Sequence, residues 1–337
     1  MGAAFVQDIP GPGDALPLTI AGVRVIVLRD REGVIRAFHN VCRHRASTVL
    51  QEPCKSLRHL QCPYHRWTYD LDGRLKATPL WDGTPKGKNY KLDPDENALV
   101  PIRCDTWENL IFVNISGDAA TLDKYVEPLI DEWADYDLNA IRPFAQADSV
   151  IEANWKVVTE GALEVYHEEF VHAGLIYRVN DGEQTWDDIL DGDAMGFRAM
   201  EMDDDPNRPA SSLPKIPGMP PEGATPTYVM FLFPSISINV YDNHVVRTIW
   251  LAPSRTETRW RSTWCFAAEA VETPVLRKEC QAIVDLWLAV REEDRGIVQL
   301  VQAGHQSPGP GPREVRFSPF WEGIILHFQR HVVSALS

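Results

Sequence analysis

Two short segments of the sequence indicate its architecture: Cys42-Arg43-His44 and, further along the chain, Cys62-Pro63-Tyr64-His65. Each segment contains one cysteine and one histidine, so the two segments together offer two thiolates and two imidazoles. Thiolates suit zinc and iron–sulfur clusters, and imidazole suits either. The single residue between Cys42 and His44 argues against a zinc finger, whose paired ligands usually stand about two to four residues apart. The two segments therefore predict a metal centre of another kind.

A Rieske [2Fe–2S] centre matches this set of ligands. In such a centre two cysteines hold one iron and two histidines hold the other, so each segment would supply one ligand to each iron. We therefore predict Cys42, His44, Cys62 and His65 as the cluster ligands. A chain of this length without a secretory signal favours free thiols over a disulfide framework. The remaining cysteines are accordingly interpreted as small apolar residues: Cys54, Cys104, Cys265 and Cys280.

A second group of candidate ligands lies in the run 164–172, which reads EVYHEEFVH. At about 100° per residue, Glu164 and His167 would share one face of a helix predicted over 154–171. His172 is five residues after His167, so it must lie beyond the helix end or in a bulge if both are to bind one ion. Two histidines with one carboxylate form the facial triad of non-haem iron(II) oxygenases, which leaves positions open for O2.

The carboxylate of this second site is predicted to be Asp294, on a long helix over 274–302. The apolar residues around it follow helical spacing and place it on the inward face: Val290, Ile297, Val298 and Val301. An inward Asp without a partner is costly, and an iron ion would compensate its charge. Glu292 and Glu293 fall off this face, and we expect them to be solvated.

The composition excludes several classes of function. The chain has 337 residues, with 33 Lys+Arg against 48 Asp+Glu and a formal net charge of −15. So acidic a surface repels phosphate backbones, and we expect no nucleic-acid partner. No apolar run approaches the ~18 residues that span a bilayer, and the N-terminus lacks the pattern of a signal peptide. We therefore expect no membrane association and a cytoplasmic location.

The element pattern predicts an α+β protein of two domains, with a boundary near Asp118. Residues 16–115 are β-rich, with hairpins around Asp72-Gly73 and around 107–109. Seven prolines within 203–227 predict a long irregular loop. The rest of the second domain is predicted as helices over 122–138, 154–171, 274–302 and 319–333, and antiparallel strands over 228–233, 237–241, 245–252 and 259–266.

These residues give the chain a resemblance to the catalytic α subunit of the Rieske non-haem iron oxygenases, the ring-hydroxylating oxygenase family. The resemblance implies a Rieske [2Fe–2S] domain over 1–118 and a helix-grip catalytic domain with mononuclear Fe(II) over 119–337. It also implies a head-to-tail homotrimer, in which the cluster of one subunit supplies the iron of its neighbour. The shared patterns are Cys62-Pro63-Tyr64-His65-x-Trp67, Asn154-Trp155-Lys156, Glu164-x-x-His167-x-x-x-x-His172, and Glu293-Asp294 followed by Val301-Gln302-Ala303-Gly304.

The family resemblance further implies an oxygenase component that hydroxylates a small organic substrate with O2. Electrons from NAD(P)H would arrive through a separate flavin or iron–sulfur reductase. Glu164 takes the place of the Asp that usually bridges the two metal sites. Glutamate there is similar to the branch that oxidises choline, glycine betaine and carnitine, so we favour hydroxylation or N-demethylation of a quaternary ammonium or N-methyl compound. Gly161 also replaces the family's usual Asn, and Arg66 replaces a small residue.

Two alternatives remain open at this point. An arene could be the substrate of a mono- or dioxygenase, and a pure electron-transfer Rieske protein would not need His167, His172 and Asp294. Aromatic side chains would form the cage that a quaternary ammonium group requires, and the same side chains would equally line a pocket for an arene. The candidates for this lining are Tyr177, Trp186, Phe197, Phe231, Phe233, Tyr241 and Trp250.

Overall fold

The computed structural model describes residues 1–83, 92–172, 186–202, 211–219, 224–308 and 315–337. The chain divides into two compact units, Met1–Lys124 and Tyr125–Ser337. The predicted domain boundary at 118/119 stays a prediction. Among the described residues, no helix combines the length and the apolar character that crossing a bilayer requires.

The first unit consists of antiparallel strands in two sheets. The larger sheet has the order β1-β9-β8-β4-β3-β2, and the smaller has the order β5-β6-β7. Both predicted hairpins form: β6 pairs with β7 around Asp72-Gly73, and β8 pairs with β9. The strands are β1 Gly2–Phe5, β2 Ala15–Ile20, β3 Val23–Arg29, β4 Ile35–His39, β5 Leu60–Gln61, β6 Thr68–Tyr69, β7 Leu75–Ala77, β8 Pro101–Trp107 and β9 Leu110–Asn114.

The two cysteine–histidine segments are loops attached to these strands. The first follows β4, and the second joins β5 to β6. The buried amide of Asn40 closes the first loop, because its oxygen accepts from the N–H groups of Val49 and Leu50 and its nitrogen donates to the Leu50 carbonyl. A buried amide that satisfies three backbone groups holds a loop firmly, since each lost partner would leave a desolvated polar group.

The second unit is organised around one antiparallel sheet of the order β10-β16-β15-β14-β13-β12-β11. Helix α5 packs on it through Cys280 and Val284 against Trp264 and Phe266. Helix α6 packs through Phe328 in another part of the core. The elements are α1 Leu122–Glu132, β10 Ile141–Ile151, α2 Trp155–Ala162, α3 Glu168–Val171, β11 Trp186–Asp191, β12 Ala194–Met202, β13 Ala224–Leu232, β14 Ile236–Val240, β15 His244–Ser254, β16 Glu257–Ala267, α4 Ala268–Glu272, α5 Pro274–Gln306 and α6 Gly323–Leu336.

Two predicted helices are shorter than expected. The first ends at Glu132 instead of 138. The second, predicted over 154–171, is wrong as one helix: α2 ends at Ala162, and α3 begins at Glu168. The intervening residues 163–167 are not helical, so Glu164 and His167 do not share the face of a regular helix.

The proline-rich segment agrees with its prediction only where it is described. Residues 211–219 are irregular, as expected. The last residues of the predicted loop belong to β13, which begins at Ala224 and pairs with β12 along its whole length. Residues 203–210 and 220–223 lie outside the described residues.

Candidate active site

The two cysteine–histidine loops have the same backbone turn. In each, the carbonyl oxygen of the cysteine accepts a hydrogen bond from the N–H group four residues later. The N–O distance is 3.0 Å from Ala46 to Cys42 and 3.1 Å from Arg66 to Cys62. Ala46 and Arg66 both have left-handed backbone angles, with φ of 57° and 60°. Such a conformation is costly for any residue with a Cβ, so both turns hold a strained residue next to a candidate cluster ligand or its neighbour.

The two turns bring the two histidine rings together and the two cysteine thiols together. The rings of His44 and His65 lie 4.6 Å apart between centroids. Burial, with a smaller contribution from the neighbouring Cys62 thiol, raises the pKa of the Cys42 thiol. The Nδ1 atom of His65 is buried and has no hydrogen-bond partner within the described part of the chain. Two adjacent thiols and two adjacent imidazoles, one with an unused nitrogen, fit a [2Fe–2S] cluster whose irons have different ligands.

Aromatic side chains hold the cluster ligands in place. The Tyr69 hydroxyl lies 3.2 Å from Cys42 Sγ and accepts from the N–H of Arg43 at 3.0 Å. The His44 ring stacks on Trp67, with 4.9 Å between centroids and 7° between planes. Burial is the main cause that lowers the pKa of His44, and a neutral imidazole is the form that binds a metal.

The second candidate site begins where α2 ends. The Asn154 side chain caps this helix by accepting from Lys156 N at 3.1 Å. Beyond Ala162, the Glu164 carboxylate accepts from the N–H groups of Tyr166 and His167. A side chain that satisfies these backbone donors replaces the helical hydrogen bonds, so the chain turns here before α3.

Two carboxylates fix the orientation of the two histidines. The Nδ1 atom of His167 contacts Glu164, and the Nδ1 atom of His172 lies 2.8 Å from Glu293 Oε2. An ionised carboxylate only accepts hydrogen bonds, so each Nδ1 carries a proton, and Nε2 is the ring atom left to bind a metal. Both Nε2 atoms face Asp294 Oδ1, at 3.4 Å from His167 and 2.9 Å from His172.

This arrangement fits a mononuclear metal. The ligand atoms of His167, His172 and Asp294 all lie within 4.8 Å of one another. Ligands about 2.1 Å from an ion and at right angles stand roughly 3 Å apart, which matches the two Nε2–Oδ1 distances. Although burial lowers the pKa of His167, its hydrogen bonds to Asp294 and Glu164 raise it to about 10. A site that stabilises this much positive charge also favours a divalent cation, whose binding displaces the proton.

Two of the four apolar residues predicted to share an inward face with Asp294 are buried. These are Val290 and Val298, one turn to either side. Ile297 and Val301 are 42% and 44% exposed, so they do not form the inward stripe. Asp294 itself lies in the wall of the cavity described below.

The two acids next to Asp294 on α5 are exposed, as predicted, but Glu293 also has a partner in the site. Glu292 pairs with Arg295 at 2.8 Å and is 63% exposed. Glu293 is 40% exposed, and its carboxylate contacts His172, which is only 1% exposed. The contact with His172 was not predicted. The sequence signal that could have found it is the position of Glu293 directly before the metal-facing Asp.

A cavity of about 750 Å3, including its open mouth, adjoins the three candidate metal ligands. Of the predicted aromatic lining, Phe197, Tyr241 and Trp250 face it. Phe231 and Phe233 instead pack near Phe328, with centroids 5.9 and 6.5 Å away. Tyr177 and the side chain of Trp186 lie outside the described residues. Two further aromatic residues of the lining, Trp260 and Trp287, were not predicted from the sequence, and neither was the cation Arg291.

Two family models match the chain. Residues 2–88 match the Rieske [2Fe-2S] domain, and residues 131–337 match the catalytic domain of the ring hydroxylating alpha subunit. The chain belongs to the ring-hydroxylating oxygenase α-subunit family. The predicted fold class, a β-rich Rieske domain with an α+β catalytic domain, is therefore confirmed. The expected cofactors are those of this family: a [2Fe–2S] cluster and mononuclear iron, with O2 as cosubstrate and electrons from a reductase.

Several known proteins resemble the chain over most or half of its length. The glycine betaine monooxygenase oxygenase subunit of Pseudomonas aeruginosa (strain UCBPP-PA14) is 29% identical, over 97% of this chain and 81% of that one. The 2-aminobenzenesulfonate 2,3-dioxygenase subunit alpha of an Alcaligenes species is 28% identical, over 50% of this chain and 42% of that one. A quaternary ammonium Rieske monooxygenase, studied for carnitine oxidation and inter-subunit electron transfer, has the same fold. Its TM-score is 0.78 at 20% identity, over 99% of this chain and 88% of that one.

Family membership decides between the classes left open by the sequence. The chain is an oxidoreductase, the oxygenase component of a system that hydroxylates an organic substrate with O2 and reductase-supplied electrons. The alternative of an electron carrier without catalysis is not supported, because the second unit matches a catalytic domain.

The contact between Glu293 and His172 leads to a prediction with a built-in control. Glu293→Ala should lower retention of the mononuclear metal ~10-fold or more, because it removes the acceptor that fixes the His172 ring and raises its basicity. Glu292→Ala removes the same side chain one residue away, where the carboxylate pairs on the surface with Arg295. It should leave the metal in place.

Metal analysis after equilibration with a mild chelator measures this difference. The cluster absorbance serves as an internal standard for folded protein. Equal metal contents in the two variants would contradict a positioning role for Glu293.

Proposed function

We propose that the chain is the terminal oxygenase for a quaternary ammonium or N-methyl compound. In this proposal Cys42, His44, Cys62 and His65 hold the [2Fe–2S] cluster, and His167, His172 and Asp294 hold the iron. The observation that carries it is an aromatic-lined cavity directly beside two histidines and a carboxylate in metal-binding geometry. The glycine betaine-oxidising relative that spans nearly the whole chain supports the same substrate class.

When bound, the cluster would pass single electrons and the iron would activate O2 for insertion into a C–H bond. The protein's own part is to fix geometry. Glu164 and Glu293 hold the two imidazoles with Nε2 toward Asp294. Aromatic rings around the cavity attract a cationic head group through their negative faces and keep water from it. Hydroxylation of an N-methyl group then gives a carbinolamine that loses formaldehyde, and hydroxylation elsewhere gives an alcohol.

Substrate-triggered O2 uptake tests this proposal directly. Reduced oxygenase with a suitable reductase should consume O2 with some members of a panel of betaines, carnitine and choline, and formaldehyde or alcohol should appear in proportion. Neutral arenes of similar size should have no effect. Uptake with arenes and with no ammonium compound would contradict the proposal and would favour the arene-hydroxylating alternative, which the aromatic cavity lining also accommodates.

Glu164 is proposed as the bridge for electrons between the metal sites. The Glu164 carboxylate contacts His167, and the side chain is 11% exposed. A cluster histidine that docked on this surface could therefore hydrogen-bond a carboxylate that already contacts a proposed iron ligand. Glu164→Gln keeps the size and loses the charge. We expect it to retain both metals, because the glutamine oxygen still accepts from His167 Nδ1. Substrate binding should change little, because the cavity keeps its shape. Reoxidation of the reduced cluster by O2 in the presence of substrate should become at least ~10-fold slower.

Rapid-mixing absorbance of the cluster measures this rate in a single turnover. Glu160→Gln is a suitable control, since Glu160 lies one turn earlier and bonds Gln329 instead of a histidine. Reoxidation of the Glu164 variant at the parental rate would remove the bridging role.

The partners are proposed on the same basis. A flavin or iron–sulfur reductase would supply electrons from NAD(P)H, and three chains would form a head-to-tail ring. A structure with this fold is associated with inter-subunit electron transfer. A cytoplasmic location belongs to the same proposal, since free thiols and reduced nicotinamide are characteristic of that compartment.

Mixed rings test transfer between subunits. Cys62→Ser and His167→Ala should each be inactive alone. Co-expression should restore activity well above either parent, because some interfaces would join an intact cluster to an intact iron site. A lack of recovery in mixed trimers verified by mass would indicate transfer within one chain.

A further inference from the structure

The cavity beside the candidate iron ligands contains a cation that the oxygen chemistry does not use. Arg291 lies three residues before Asp294 on α5, so the two side chains share a helix face, and both line the cavity. The guanidinium carbon lies 4.5 Å from the ring centre of Trp260 and 4.7 Å from that of Trp264. Nη2 donates to Thr248 Oγ1 at 3.2 Å. Two indoles and a hydroxyl therefore hold the guanidinium in one orientation.

The guanidinium forms no ion pair. Among the described residues, no carboxylate lies within ion-pair distance of Arg291, and the contacts that hold it are the two rings and Thr248. Burial lowers the pKa of Arg291 to about 10, whereas the charges of the nearby Tyr241 and Asp294 act in the opposite direction. The side chain therefore carries its charge at neutral pH. Rings and a hydroxyl offset only part of the cost of burying a cation, which makes the site receptive to an anion.

Other polar groups of the cavity wall suit an anion as well. Ser237 and Asn239, on β14, line the cavity, as does Thr248 on the neighbouring strand. The Ser237 hydroxyl donates to Asn239 Oδ1 at 3.0 Å. This bond turns the amide so that its NH2 group, a pure donor, is left without a partner in the described part of the protein. A guanidinium fork and an amide NH2 in one cavity are the donors that a carboxylate needs.

We propose that Arg291 binds an anionic group of the substrate, so that the substrate is a zwitterion with an ammonium end and a carboxylate end. The identity of the ammonium end rests on the proposed function, whereas the anionic end rests on Arg291 alone. A simple cation such as choline would enter a cavity that already holds the positive charge of Arg291 and would leave that charge without an ion pair. A betaine would pair that charge and expose its N-methyl groups to the aromatic rings. The cavity therefore selects for the carboxylate as well as for the ammonium group.

Binding and turnover of matched ligands by the holoenzyme test this assignment. The probes are glycine betaine and γ-butyrobetaine, which carry both charges, choline, which lacks the carboxylate, and 2-aminobenzenesulfonate, which has an anionic group on an arene. Calorimetric Kd values and kcat/KM from O2 uptake are compared for the parent, Arg291→Gln and Arg291→Lys. Arg259→Gln is the matched control, because Arg259 is 60% exposed and pairs with Glu257 outside the cavity.

The parent should bind at least one of the betaines ~30-fold or more tightly than choline, the range expected of a charge-assisted pair. Arg291→Gln should lose about that factor for the betaine and leave choline within ~3-fold, since only the carboxylate contact is removed. Arg291→Lys should lie between, because it keeps the charge without the planar fork. Arg259→Gln should match the parent. Metal contents and cluster spectra verify that each variant is folded, and the lysine variant keeps the comparison valid if glutamine disrupts the ring stack.

Two outcomes would overturn the assignment. One is equal binding of choline and betaines by the parent. The other is an equal loss for both ligand types in Arg291→Gln, which is the effect of a purely structural contact. Failure of the proposed function gives a different result. If the parent ignores every ammonium compound but binds 2-aminobenzenesulfonate, and Arg291→Gln loses that binding, the ammonium proposal is wrong and the anion-binding role of Arg291 stands.

Discussion

The catalytic half of the molecule depends on a pair of carboxylate–imidazole contacts. Glu164 holds His167 and Glu293 holds His172, and each contact turns Nε2 toward the same oxygen of Asp294. Without them the rings could rotate about their side-chain bonds, and a buried imidazole with its proton on the wrong nitrogen could not bind a cation. The three acids around two histidines also concentrate negative charge, so the fold is complementary to a divalent ion before any substrate arrives.

One of the two carboxylates lies on a long helix, and the other lies in an irregular turn. Glu293 belongs to α5, a helix of 33 residues that packs on the sheet and also carries Asp294 and Arg291. Glu164 belongs to the irregular turn between α2 and α3, and it holds that turn together by accepting from the backbone N–H groups of Tyr166 and His167. Helix α5 thus carries the carboxylate that orients His172, one candidate metal ligand and the proposed anion contact. The turn between α2 and α3 orients His167.

The candidate ligands could be proposed from the sequence because metal ligands leave short, dense patterns. The helices and strands around them were harder to predict. One helix was predicted over 154–171, and the sequence pattern does not reveal that the Glu164 carboxylate competes for the backbone donors beyond Ala162. Strand β10 was missed because it contains Pro143, at a register shift on the edge of the sheet, where proline is tolerated and the apolar alternation is weak. Glu293 and Arg291 could not be assigned from periodicity alone, since their roles depend on partners far away in the sequence.

Gly161 stands where the family resemblance implies Asn, at a point where α2 closely approaches α5. A Cβ atom at position 161 would lie 3.3 Å from Val298 Cγ2, tighter than about nine in ten real contacts of this type. Val298 stands one turn after Asp294, so a larger side chain at 161 would require a shift in the segment that presents the metal-facing carboxylate. Gly161 also lines the cavity. Glycine costs helix stability, and α2 ends only one residue later. A small residue at 161 therefore suits both the contact with Val298 and the space of the cavity.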